Sequence, residues 1–200
     1  DSPVVVISTA TRLTSGILVH SDFVSISGSA RLTIEPGVEV RFERGTSLRV
    51  GFGATLYAAG TALQPIVFTS TASSPAPGDW NRISVEGGSA TLVNVRMSYG
   101  GLAGSATGPM LFASEGSDVT VQDSEISFSS GPGVVSSDMA VLRIIGSTFA
   151  GNGDWGVDAG GPIPLLAEST FTGAKGARIS SQLGSQTVQA NGNTFRDLGV

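Results

Sequence analysis

The stretch Gly146-Ser147-Thr148-Phe149-Ala150-Gly151-Asn152-Gly153-Asp154-Trp155-Gly156-Val157 runs from a small polar pair through a large aromatic and a glycine-rich turn to an aliphatic residue. Its pattern returns along the chain. Asp123-Ser124-Glu125-Ile126, Gly146-Ser147-Thr148-Phe149, Glu168-Ser169-Thr170-Phe171 and Gly192-Asn193-Thr194-Phe195 place their last residues 23, 22 and 24 positions apart. Eight residues beyond the first three of these come Val134, Val157 and Ile179, each after a turn containing glycine, and Val200 closes the last copy after a shorter turn. Upstream, the run ending Met97-Ser98-Tyr99 matches the run ending Ile126-Ser127-Phe128, with a longer spacing of 29, so the turn between them carries an insertion over 99–113. Self-similarity at such a period is the mark of a solenoid, in which each unit buries its apolar face only against its neighbours.

The first half carries the same alternation in shorter pieces: Phe23–Ile26, Leu32–Ile34, Val38–Phe42, Leu48–Val50, Ile66–Phe68 and Ile83–Val85, divided by turns such as Glu35-Pro36-Gly37 and Glu43-Arg44-Gly45. Short alternating runs between turn residues read as strands. Three strands per turn give a coil of roughly 22 residues, and the chain length then gives roughly eight or nine coils. The expected organisation is one all-β domain. Residues 1–28 hold an N-terminal cap (the Val4–Ile7 strand) and first strands, 29–98 the early coils with a loop at 71–80, 99–113 the inserted loop, and 114–200 the regular coils. Coils stack at the ~4.8 Å spacing of paired strands, so Phe149, Phe171 and Phe195 are expected to form an inner column.

Composition agrees with this reading. Gly, Ser and Thr fill 73 of 200 positions, charged residues are 14 %, and Lys175 is the only lysine. Helical bundles need Lys, Glu and Gln for their solvent faces, which this chain does not supply. Hydrophobic content of 40 % excludes a disordered chain. The net charge of −5, without a basic cluster, argues against nucleic acid as a partner. No apolar run of ~20 residues is present, so insertion into a bilayer is not expected. With no cysteine and one histidine, thiolate and histidine metal sites are not available, and His20, in an apolar strand-like stretch, reads as structural. The abrupt start at Asp1 suits a processed fragment, and a cysteine-free, acidic, Ser/Thr-rich chain suits bacterial export.

At Gly-Ser-Thr-Phe-Ala-Gly-Asn-Gly-Asp-Trp-Gly-Val157, Glu-Ser-Thr-Phe-Thr-Gly-Ala-Lys-Gly-Ala-Arg-Ile179 and Leu-Thr-Ile-Glu-Pro-Gly-Val-Glu-Val-Arg-Phe42 the chain resembles the right-handed parallel β-helix superfamily with the pectate-lyase-like fold, among secreted bacterial parallel β-helix repeat proteins. Gln64-Pro65-Ile66-Val67-Phe68-Thr69-Ser70 and Gly78-Asp79-Trp80-Asn81-Arg82-Ile83 also resemble early coils of such proteins. The resemblance covers essentially 30–200. It implies the handedness and the scaffold. It does not imply an activity, because the scaffold carries enzymes, adhesins and fibres.

Enzymes of the superfamily provide a test. Polygalacturonase-like hydrolases use clustered aspartates, including an adjacent pair, and a Gly-His-Gly; here no two acidic residues are adjacent and no Gly-His-Gly occurs. Lyases hold Ca2+ with carboxylates and use a basic residue to take a proton. The nearest acidic group is Asp118, Asp123 and Glu125, with Arg143 about one coil later, read chiefly as solvated strand positions. Asp154 and Asp158 flank Trp155. The two Gly-Asp-Trp copies offer Trp80 and Trp155 as platforms for a sugar ring or, as the plainer reading, as shields over the apolar column at a corner. Tyr99, aligned with Phe128, reads as a stacked edge residue that is also a candidate contact. Asn94, Asn152, Asn191 and Asn193 read as turn residues and amide-ladder members. Ser and Thr are expected on outward strand faces.

The function expected is a non-catalytic structural or binding module of an exported or cell-surface bacterial protein: a fibre, an adhesin-like segment or a carbohydrate-facing stalk. Its partners would be a polysaccharide or cell-surface component, with self-association end to end or side by side. Neither cofactor nor metal is expected. The competing reading is a polysaccharide lyase or glycoside hydrolase with a site gathered from scattered acids, and only that reading calls for Ca2+.

Overall fold

The computed structural model describes residues 5–20, 23–103, 106–137, 139–163, 165–173, 175–180 and 188–197. Among them every regular element is a strand. Three parallel sheets run the length of a right-handed β-helix. Sheet A has eight strands: Val5–Ile7, Phe23–Ile26, Ser47–Val50, Ile83–Glu86, Leu111–Ser114, Val134–Ser136, Val157–Ala159 and Ala177–Ile179. Sheet B has seven: Thr11–Leu13, Arg31–Ile34, Thr55–Ala59, Ser89–Val93, Asp118–Gln122, Val141–Ile145 and Leu165–Ala167. Sheet C has eight: Ile17–Val19, Glu39–Phe42, Ile66–Ser70, Val95–Ser98, Glu125–Ser127, Thr148–Ala150, Thr170–Thr172 and Thr194–Arg196. Among the described residues the chain visits A, B and C in turn through seven coils, and in an eighth the single bridge of Gln189 to Leu165 takes the sheet B position.

Period-2 alternation turns one face of each strand inward, and register stacks like on like. In sheet B, Leu32, Leu56, Ala90, Val119 and Leu142 form one buried column. In sheet C the buried column is Val40, Phe68, Met97, Ile126, Phe149 and Phe171, and it ends on Phe195, which is 49 % exposed. The expected aromatic stack is present, with ring centroids 4.9 Å apart for Phe149–Phe171 and 5.0 Å for Phe171–Phe195. Each buried aromatic of this kind contributes roughly 1.5–3 kcal/mol through area removed from water.

The corner from sheet B to sheet C is the most regular part of the molecule. One left-handed residue makes the turn at Asn94, Asp123, Gly146 and Glu168, with φ between 48 and 57°. The next residue is a buried serine in three of these coils, and the serines form a ladder. The hydroxyls of Ser124, Ser147 and Ser169 donate to the carbonyls of Gln122, Ile145 and Ala167 at 2.7, 2.9 and 2.9 Å. They accept the amides of Val95, Ser124 and Ser147, one coil up, at 3.0, 3.2 and 3.1 Å. Asn193 ends the run by accepting the Ser169 amide at 3.0 Å. Ser124, Ser147 and Ser169 stand at the corner, between the strands whose Ser and Thr are expected to face outward. They are inside because a backbone N–H at a tight, dry corner needs a short acceptor.

Several boundaries also shift. Val5–Ile7 is the outermost strand of sheet A, paired to Phe23–Ile26; Val4 lies outside the described residues. Beside it the first coils line a partly open cavity of about 360 Å³, with Ile7, Ile17, Val24, Leu32 and Phe42 on its wall. The insertion expected over 99–113 ends earlier, since Leu111–Ser114 is a sheet A strand, and it carries a two-stranded antiparallel ribbon, Leu102–Ala103 with Ala106–Thr107. Ile179 does not continue the Val134–Val157 column. Ala177 does, and Ile179 pairs with Ala159 because the preceding turn is shorter. Val200 lies outside the described residues.

Candidate functional site

The outward face of sheet A carries a continuous column in register: Ser25, Arg49, Ser84, Phe112, Val135, Asp158 and Arg178. Arg49 pairs with Glu86 at 2.5 Å. Arg82 lies over the Phe112 ring, 5.6 Å from its centroid. The middle of the column is thus small or apolar in its own side chains, with the Arg82 guanidinium over Phe112.

Trp155, half-buried, stands beside the C-terminal end of this column. Arg178 and Lys175 both approach its ring, at 5.4 and 5.9 Å from the centroid. Arg178 grips Asp158 with two hydrogen bonds, Nε at 2.7 Å from Oδ1 and a second from NH2 to Oδ2. Hydrogen bonding to Asp158, and then the charge of that carboxylate, hold the guanidinium above its ordinary pKa range. Lys175 Nζ is 2.9 Å from Asp154 Oδ1. Three of the residues singled out in the sequence, Asp154, Trp155 and Asp158, therefore come together. The residues that sequence reasoning missed beside them are Lys175 and Arg178; their signal was a basic pair in the following coil, at the register of Asp154 and Asp158.

Trp80 is placed otherwise, and its reading as an exposed sugar platform is corrected. Its side chain is fully buried, stacked on Phe42 at 4.3 Å and 12°, with the indole N–H donated to the Ser98 carbonyl at 2.9 Å. Gly100 makes the room: a Cβ there would stand 2.8 Å from the Trp80 ring. Around it the loops 71–80 and 99–110 are tied together, with the Gly78 and Asp79 amides donating to the Gly100 and Tyr99 carbonyls at 3.1 and 2.9 Å. Tyr99 stacks on Phe128 at 5.5 Å and 8°, at the corner from sheet C to sheet A, as the alignment implied.

The acidic group divides. Asp118 begins a sheet B strand and pairs with Arg143 at 2.5 Å on that outer face. Asp123 is the left-handed corner residue, and Glu125 starts the sheet C strand. Asp123 and Glu125 line a polar groove together with Arg96, on a different face from Asp118 and Arg143. His20 is at the far N-terminal end, its Nδ1 2.8 Å from Glu43 Oε1. The asparagines do not stack on one another. Asn152 and Asn193 instead bond backbone groups of the adjacent coil through both amide atoms.

Calcium needs six to eight oxygens around one point. Among the described residues no three His, Cys, Asp or Glu side chains gather, and Asp118, Asp154 and Asp158 are each held by a cation of the chain. The described carboxylates do not gather to fit such an ion.

Stacked parallel strands, a ladder-closed corner and variable loops at another corner define a parallel β-helix solenoid domain. The sequence profile of the pectate-lyase-like β-helix domain matches residues 12–112, half of the chain. The chain belongs to that family. No curated protein and no solved structure matches it.

Proposed function

We propose that the chain is a non-catalytic structural and binding module of an exported or cell-surface bacterial protein. It acts as a stiff rod that presents the outer face of sheet A, with Trp155 at one end, to a polysaccharide or cell-surface partner. One observation carries this reading: the carboxylates on and beside that face are already neutralised. Glu86 is paired with Arg49, Asp158 with Arg178 and Asp154 with Lys175. Glycoside hydrolysis needs two carboxyl groups aimed at one bond, one of them kept protonated by its surroundings. A carboxylate gripped by a cation is stabilised in its charged form, which is the opposite requirement.

The remaining groups suit contact. Trp155 offers an apolar ring with the Arg178 and Lys175 cations over it, and Phe112, under the Arg82 guanidinium, and Val135 continue the contact surface along the rod. Aromatic rings supply such area at little conformational cost. The test is retention of the folded chain on insoluble polysaccharides. Retention that is lost on Trp155→Ala supports the reading, and equal retention of both proteins removes Trp155 from the contact.

A further inference from the structure

From sheet B to sheet C, four successive coils turn through one left-handed residue, at Asn94, Asp123, Gly146 and Glu168, with one or two residues between the strands. One coil earlier the same corner, between Thr55–Ala59 and Ile66–Ser70, takes six residues, 60–65. The added residues fill no interior: Leu63, at the tip, is 94 % exposed. The loop is nevertheless built, with the Gly60 amide bonded to the Val93 carbonyl at 2.8 Å and Thr61 and Gln64 exchanging backbone hydrogen bonds at 3.1 Å. Thr61 and Pro65 form one wall of a groove of about 290 Å³. Its floor is two columns three coils long: Asn94, Asp123 and Gly146 at the corner, and Arg96, Glu125 and Thr148 on the outer face of sheet C.

The polar groups of the floor are only partly used. Among the described residues Arg96 has no ion pair, although Glu125 is its neighbour in register. Asp123 accepts one hydrogen bond, from Gln122 Nε2 at 3.0 Å, and its carboxylate lies over Gly146, where a Cβ would stand 2.6 Å from Oδ1. Glu125 accepts the Ser127 hydroxyl at 3.1 Å. Each carboxylate keeps free acceptor sites, and the guanidinium keeps free donors.

Arg96 and Asp123 are exposed and Glu125 is half-buried, planar donors beside planar acceptors at the ~4.8 Å coil spacing. A hydroxyl both donates and accepts, so adjacent sugar hydroxyls can satisfy a guanidinium and a carboxylate at once. The central Arg96 disfavours a divalent cation, and the flanking Asp123 and Glu125 disfavour an anion. We propose that this corner groove binds a neutral, hydroxyl-rich saccharide. It is a second site, on a different face from Trp155, and it stands whether or not the sheet A face binds anything.

Amide chemical shifts of the labelled chain, titrated with cellohexaose, xylohexaose and mannohexaose, test it. At least one of these is expected to shift the amides of 60–65, Arg96, Asp123 and Glu125. Arg96→Ala and Glu125→Gln, with circular dichroism unchanged, are each expected to weaken that binding roughly tenfold, the loss of one charge-assisted hydrogen bond, while Trp155→Ala leaves it unchanged. Absence of shifts in the groove with all three sugars overturns the proposal. So does binding that both groove variants leave intact. Shifts confined to Trp155 and the sheet A face overturn it as well, while leaving the sheet A reading in place. Tighter binding of hexagalacturonate at these residues overturns the neutral-ligand assignment.

Discussion

Two corners of the same coil are built on opposite rules. From Asn94 onward the chain turns from sheet B to sheet C through one left-handed residue, and the serine ladder at Ser124, Ser147 and Ser169 satisfies the buried amides coil after coil. From sheet C to sheet A, lengths vary, the loops at 71–80 and 99–110 intervene, and Trp80 and Trp155 lie in opposite environments after the same Gly-Asp. A corner closed by a repeating hydrogen bond fixes its own sequence. A corner closed by packing against whichever loop is present leaves its sequence free, and that is where exposed aromatics and paired charges collect.

The largest break should come from the packed corner. Trp80→Ala empties the space between Phe42, Gly100 and Met110, and denaturant unfolding should register a loss of about 3–5 kcal/mol. The ladder corner should respond next. Ser147→Ala leaves the Ser124 amide without its acceptor in a dry site, a loss of about 1–3 kcal/mol, whereas Thr172→Ala on the outer face should stay within about 0.5 kcal/mol. A ladder change that costs no more than the surface change would mean that the corner is held by sheet pairing alone.

A smaller effect of opposite sign sharpens the comparison. Glu168 sits in the left-handed region at φ 54°, in the column where Gly146 does the same at 57°. Side chains cost roughly 1–2 kcal/mol in that conformation, so Glu168→Gly should raise the melting temperature once the added freedom of the unfolded chain is subtracted. Trp155→Ala should change stability least, by less than about 1 kcal/mol, because its half-buried ring plugs nothing. Its effect should be read in polysaccharide retention instead.

The inner columns were legible in the sequence because stacking forces an apolar residue to return at fixed register, as Phe149, Phe171 and Phe195 do. The stacked pair of Tyr99 and Phe128 was legible for the same reason. The serine ladder was not, although Ser124, Ser147 and Ser169 stand in the repeat itself: serine is equally at home on an outer face, and period alone does not say which way a corner residue points. Trp80 was hard to place because its direction depends on Gly100, twenty residues later in a loop of its own. The charge pairs of Asp154 and Asp158 needed the register of the next coil, which a turn two residues shorter than expected had displaced at Ile179.

On this proposal the acids on and beside the sheet A face are committed to cations and perform no chemistry. Prolonged incubation of the folded chain with polygalacturonate, xylan and mannan, followed by assay of reducing ends and unsaturated products, tests it most directly. No product above the heat-denatured control is the result predicted. Product accumulating with time, and abolished by Asp158→Asn or Asp118→Asn, would contradict it.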